Sequence, residues 1–179
     1  MEVQLLRAQI RARLGFVLDL RFPTALQAML SLALAHESGI VRMTSAGLAD
    51  GLGANPSLVR RLLGQLVERG LLRSVLGQSG GVSLARPAAK ITLAEIYRAA
   101  TEGKPLWVPR ADIRHRCVVT SNIEPYFEGL AKLADEAVTE VLARSTLADA
   151  LGELRVLDQR PSERGRPRKR HEPSHVVRR

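Results

Sequence analysis

Two adjacent arginines, Arg60 and Arg61, carry the clearest chemistry in this 179-residue chain. They sit in PSLVRRLLGQLVERG, where Leu58, Val59, Leu62, Leu63, Leu66 and Val67 fall on one side of a helix. Ser57, Arg60, Arg61, Gly64 and Glu68 fall on the other. Two guanidiniums beside small residues suit a nucleic-acid groove, by pairing with guanine O6 and N7 or by clamping phosphates. A second feature is Cys117, the lone cysteine, in RADIRHRCVVTSNI. Arg114, His115 and Arg116 beside it would favour a thiolate, the form that oxidises, while an inert structural cysteine is the plain alternative. A third is RGRPRKR near the C-terminus. Its Arg164, Arg166, Arg168, Lys169 and Arg170 resemble an AT-hook, whose arginines enter a narrow minor groove. The alternative is a generic basic tail that raises affinity for any polyanion.

Other chemistries find no support. There is no phosphate loop and no nucleophile elbow, and His36, His115, His171 and His175 lack an evident carboxylate or nucleophile partner, so an enzyme is not expected. One cysteine excludes an internal disulfide, and His115 with Cys117 is too few ligands for a metal, so neither a metal nor a cofactor is expected. No apolar run approaches ~20 residues, and MEVQLLRAQIRARLGFV lacks the apolar stretch of a secretory signal. No membrane partner is expected, and the cytoplasm is the default location.

The elements that must position these residues are mostly helical. Aromatics make up only 3% of the chain, so Leu, Ala and Val fill the core, which favours helix. Phe22 to Glu37 reads as a helix burying Leu26, Met29, Leu30, Ala33 and Leu34, with Pro23 in its first turn. Thr44 caps a short second helix with Leu48, Ala49 and Leu52 inward, and Gly53 stops it. Asn55-Pro56 restarts the chain at once as cap and first helical residue. Gly70 ends the arginine-bearing helix. Leu71–Val75 and Val82–Leu84 then form a hairpin joined by Gly77, Gln78, Ser79, Gly80 and Gly81. Thr92 and Glu95 form a capping box before Ile96, Ala99 and Ala100. Helix, tight turn, helix, glycine-rich hairpin is the order of a winged helix-turn-helix.

Residues 104–121 read as an irregular, sensor-type loop around Cys117. From Asn122 to Leu151 one long helix is expected, on the order of 40 Å. Ile123, Phe127, Leu130, Ala134, Ala137 and Val141 step 4, 3, 4, 3, 4 along it, a narrow seam suited to pairing with a second helix. Packing on its own domain is the alternative. Residues 152–179 are too polar to fold. Eight Lys and Arg against two Glu lie between Arg160 and Arg179, so six of the nine net positive charges sit there and about three remain on the body. Residues 1–20 fit nothing that follows. Leu5, Leu6, Ile10 and Leu14 could line a short helix or belong to a leader, with a true start near Val17 or Leu18.

The fold class expected is therefore mainly α with a small β-hairpin wing: a winged helix-turn-helix over 21–103 and a dimerisation helix over 122–151. The spellings RFPTALQAMLSLA, NPSLVRRLLGQLVERGLLRS, GQSGGVSLARP and ITLAEIYRA, in that order, resemble the Rrf2 family of bacterial transcription regulators over roughly residues 20–150. That resemblance implies a homodimer, each subunit laying one helix on half of a near-palindromic operator in double-stranded DNA. It places Asn55, Ser57, Arg60 and Arg61 at the DNA, with Thr44 beside them and Arg73, Gln78, Ser79 and Gly80 on the wing. Two departures stand out. Some members carry arginine in the wing where this chain has Leu76, and iron–sulfur members hold their cluster with three cysteines where this chain has Cys117 alone. The chain thus resembles the cluster-free branch. The expectation is a sequence-specific repressor with an unknown inducer. The alternatives are a sequence-neutral architectural protein working through its tail, and an adaptor that has lost DNA binding.

Overall fold

A computed structural model describes residues 19–77, 80–104, 107 and 117–159, and the backbone of 176–177. The order is α1 (Arg21–Glu37), β1 (Arg42–Met43), α2 (Ser45–Leu52), α3 (Pro56–Glu68), β2 (Leu72–Val75) and β3 (Gly81–Leu84). A 3₁₀ turn (Ala88–Lys90), α4 (Leu93–Thr101), α5 (Val118–Ala143), α6 (Leu147–Gln159) and β4 (Val176–Val177) follow. The antiparallel sheet runs β2-β3-β1-β4. Leu72 pairs with Leu84 in the hairpin, Met43 with Val82, and Met43 with Val176 on the far edge. This is the mainly helical, winged architecture expected. No helix of the described residues is long and apolar enough to cross a membrane.

The helix ends follow their side chains. Thr44 Oγ1 accepts the Gly47 N–H at 3.0 Å, and Asn55 Oδ1 accepts those of Ser57 and Leu58 at 2.9 and 3.3 Å. Each such cap is worth on the order of 1 kcal/mol. Gly53 lies at φ 57°, a left-handed conformation that permits the abrupt turn between α2 and α3. At α4, Thr92 Oγ1 accepts the Glu95 N–H while the Glu95 carboxylate accepts the Thr92 N–H, the reciprocal box its spelling implies.

The core joins α1, α2, α3, α4, the sheet and α6. α1 is central, and its buried face differs from the expected one. Thr24, Ala25, Ala28, Met29, Leu32, Ala33 and Ala35 are buried, Leu26 and Leu30 are half-buried, and Leu34 is exposed. The helix is wrapped on several sides, and alanines let its neighbours approach closely, so the widest leucine stripe is not the innermost one.

The long C-terminal helix is two helices, not one. It starts earlier than Asn122, at Val118, and stops at Ala143. Thr146 and Asp149 then open α6: the Asp149 carboxylate accepts the Thr146 N–H at 2.8 Å and Thr146 Oγ1 accepts the Asp149 N–H at 3.2 Å. The intervening backbone is stitched to the winged domain, Leu93 N–H donating to the Ser145 carbonyl and Leu147 N–H to that of Ile91. Leu147 and Leu151 are buried in the core, each contributing on the order of 2 kcal/mol by area. The segment 152–179, expected without regular structure, is thus helical to Gln159 and contributes a short strand at Val176–Val177. The remainder of the tail and the leader 1–18 lie outside the described residues.

α5 leans on α4. Tyr97 Oη donates to Asp135 at 2.7 Å, and the Tyr97 ring meets Phe22 edge-on at 5.4 Å. Burial first, and then the bond to the carboxylate, push the Tyr97 phenol up to about 12, so this link stays protonated through the physiological range.

Candidate nucleic-acid interface

α3 presents one polar face to solvent. Val59, Leu62, Leu63 and Leu66 are buried, whereas Ser57, Arg60, Arg61, Gly64 and Glu68 are exposed. Gln65 is buried as well, a residue whose polarity hides it from any apolar-face reading. Asn55 and Thr44, expected at the contact, are occupied as helix caps through their side-chain oxygens. These caps fix where α2 and α3 begin. The Asn55 side chain remains exposed, and Thr44 borders the groove described next.

The two arginines part company. Arg60 lies between α2 and the wing. It borders a hollow of about 310 Å³ with Ser45, Ala49 and Asp50, and a groove of about 600 Å³ with Gly64, Ser74 and Leu76. Arg61 points its charge to the other flank, within electrostatic reach of Asp19 and Glu102. Both carboxyls are held below their usual range, Asp19 chiefly by the Arg21 guanidinium and Glu102 chiefly by the Lys104 ammonium, with Arg61 adding to each. Arg60 therefore lies beside the groove between α3 and the wing, and Arg61 lies towards Asp19 and Glu102.

The wing stands beside them. Arg73, Ser74 and Val75 are exposed on β2, and Gly80 returns the chain by donating its N–H to the Gly77 carbonyl at 2.9 Å. A Cβ on Gly80 would lie 2.5 Å from the Val75 carbonyl oxygen and 2.7 Å from that of Gly77, both backbone atoms that cannot step aside. Gly80→Ala should distort the wing and lower affinity for cognate DNA on the order of tenfold, the value of about one positioned contact. The melting midpoint should change little, since the turn lies outside the core. Titration of a labelled duplex alongside a thermal melt checks both. Gln78 and Ser79 lie outside the described residues.

A capped helix with exposed arginines thus stands beside a two-stranded wing, and in sequence and fold the chain is similar to known proteins. The family model for Rrf2, described as an iron-dependent transcriptional regulator, matches residues 18–153. The chain belongs to the Rrf2 family. IscR of Cronobacter sakazakii, an HTH-type transcriptional regulator, is 36% identical over 78 residues, covering 44% of this chain and 47% of that protein. YwgB of Bacillus subtilis (strain 168), whose name marks it only provisionally as an HTH-type transcriptional regulator, is 30% identical over 126 residues, covering 65% and 76%. In fold, the chain is similar to IscR of T. potens, with a TM-score of 0.56 at 24% identity over 82% of this chain and 94% of that one. It is also similar to CymR, the global cysteine regulator of B. subtilis, with a TM-score of 0.53 at 23% identity over 77% and 98%. An Rrf2 regulator is thus a DNA-binding, winged-helix transcription regulator, and this chain is one.

The iron in the family description meets a donor set that does not fit a cluster. The whole chain has one cysteine, and a single thiolate cannot hold an iron–sulfur centre. Among the described residues, no three His, Cys, Asp or Glu side chains converge on a common point. Cys117 is exposed at the start of α5. Its thiol is held below its ordinary range by hydrogen bonding at the helix start, first to the Thr120 amide, then to the Thr120 hydroxyl and the Val119 amide. The flanking Arg114, His115 and Arg116 lie outside the described residues.

α5 has an inner and an outer face. Its inner face, with Ala131 and Thr139 buried and Asp135 half-buried, lies towards α4. On the outer face Tyr126, Leu130, Leu133 and Val141 are 65%, 39%, 65% and 62% exposed, with Ala137 exposed between them. Of the expected seam, Leu130, Ala137 and Val141 lie on this open stripe, while Ile123, Phe127 and Ala134 are half-buried at its margin. Tyr126 and Leu133 belong to the stripe, and the heptad pattern omits them.

Proposed function

We propose that the chain acts as a homodimeric, sequence-specific repressor on a near-palindromic operator, without an iron–sulfur cluster. The observation that carries this is Arg60, exposed beside the wing on a helix whose start is fixed by Asn55 and Pro56. Two copies joined through the apolar stripe of α5 would present two such helices. Half-sites about 34–36 Å apart would then meet both at once. Arg60 reads base edges, Arg61 and Arg73 hold phosphates, and the basic segment Arg164–Arg170 adds sequence-independent attraction. Selection of duplexes from a random-sequence pool tests the reading. A regulator enriches a two-fold motif and prefers it over unrelated DNA by about 10³ or more at moderate salt. An architectural protein enriches none. A reporter placed downstream of the enriched motif should fall in output when the chain is expressed.

Cys117 is the signal-receiving group in this proposal. An exposed thiol at the start of α5 is open to oxidant, and its helix leads directly to the surface that would join two copies. Peroxide should weaken operator binding by the wild type and leave Cys117→Ser unaffected, as read by gel shift before and after treatment. Equal loss in both proteins would remove the thiol from the mechanism.

A further inference from the structure

The tip of the wing has a chemistry that the arginines do not explain. Leu76 is 93% exposed and Val75 beside it is 42% exposed. They line the same groove as Arg60 and Gly64. Gly80 donates its N–H to the Gly77 carbonyl, and a Cβ on Gly80 would not fit against the Val75 and Gly77 carbonyl oxygens. Among the described residues of the wing, Leu72–Gly77 and Gly80–Leu84, Arg73 is the one cation, and it stands three residues before Leu76. Leu76 and Val75 therefore put apolar surface on the side of the molecule that carries Arg60.

A leucine this hydrated gains about tenfold to a hundredfold in an equilibrium constant when an apolar surface covers it. A duplex offers such surface at thymine methyls in the major groove, and at sugar edges and partly unstacked base steps in the minor groove. With α3 in a major groove, a wing alongside reaches the flanking backbone and the minor groove next to it. We infer that Leu76 is a specificity-determining contact that wedges apolar surface against a flanking minor-groove base step. Steps that unstack easily, TA and CA/TG, would be favoured there, because wedging them costs least.

This inference rests on the reading of the chain as a sequence-specific DNA binder, and the test separates the two. Wild type, Leu76→Ala, Leu76→Met and Leu76→Arg are each put through selection from a random-sequence pool, then titrated on the wild-type motif over a range of salt. The wild type should enrich a central motif with a pyrimidine–purine step at a fixed distance on each flank. Leu76→Ala should keep the central motif, lose the flanking preference and bind about tenfold more weakly or worse, with the same salt slope and melting midpoint. Leu76→Met should restore most of both. Leu76→Arg should steepen the salt slope by about 0.9 per subunit, the mark of a new phosphate contact. A Leu76→Ala protein that enriches the same flanks and binds as tightly as wild type overturns the wedge while leaving the regulator standing. A wild type that enriches no motif overturns the regulator and the wedge with it.

Discussion

Replacing Arg60 by alanine should relax base preference at one position in each half-site, whereas replacing Arg61 should weaken binding to every duplex alike. The difference follows from where the two side chains lie. Arg60 borders the groove between α3 and the wing, and a guanidinium there can form a bidentate pair with a guanine. Losing one such pair costs about 1–3 kcal/mol of discrimination, and a homodimer loses it twice, so affinity for the selected motif should fall on the order of 10²–10⁴-fold. Arg61 lies towards Asp19 and Glu102, at the edge of that face. Its loss should reduce the salt slope by about 0.9 per subunit and leave the ranking of sequences intact. Both side chains are exposed, so neither variant should alter the melting midpoint. Selection from a random pool with each variant separates base reading from phosphate holding. A double variant that still enriches the wild-type motif with wild-type affinity would remove α3 from the interface.

What could be read from residues alone was mostly punctuation. Asn55-Pro56, Gly53 and the Thr92 to Glu95 spacing each fix a boundary through local backbone chemistry, and those boundaries stand within a residue. Thr146 to Asp149 has the same spelling, and it too opens a helix. The apolar steps end at Val141, where Arg144 and Ser145 take the next places, so the break was there to be read beside the Thr146 cap. The fate of α1 depended on tertiary packing. With neighbours on several sides, Ala25 and Ala28 are inside and Leu34 is outside, which hydrophobicity alone would invert. Gln65 is buried for the same reason. The difference between Arg60 and Arg61 was illegible because it depends on what the fold brings near each: the wing beside Arg60, and Asp19 and Glu102, from two distant segments, within electrostatic reach of Arg61. The outer stripe of α5 was legible in part. A strict heptad seam selects Ile123 and Phe127, but contact with α4 turns the helix so that Tyr126 and Leu133 take the outermost places.

That rotation supplies the second large effect. Leu133 lies in the middle of the 26-residue α5, 65% exposed, with Leu130 and Ala137 one turn away on either side. A two-fold axis crossing α5 near Leu133 would bring this residue against its own copy, as self-complementary contacts require. Leu133→Glu would then place two carboxylates in one apolar seam. Burying an unpaired charge costs several kcal/mol, and like charges facing each other add to it. The dimer dissociation constant should rise on the order of 10³-fold or more. The subunit itself should stay folded, because this side chain faces solvent in the isolated chain, and its circular dichroism should match that of the wild type. Sedimentation equilibrium should report one chain for Leu133→Glu and two for wild type and Leu133→Met. Motif binding should fall with it, since a lone subunit holds one half-site and loses the high effective concentration that tethering gives the second. Ile123→Glu, at the half-buried margin, should dissociate the pair less completely, which distinguishes the stripe centred on Leu133 from the heptad seam. A Leu133→Glu protein that sediments as two chains would place the joining surface elsewhere, and the spacing of the two α3 helices would have to be set by another element.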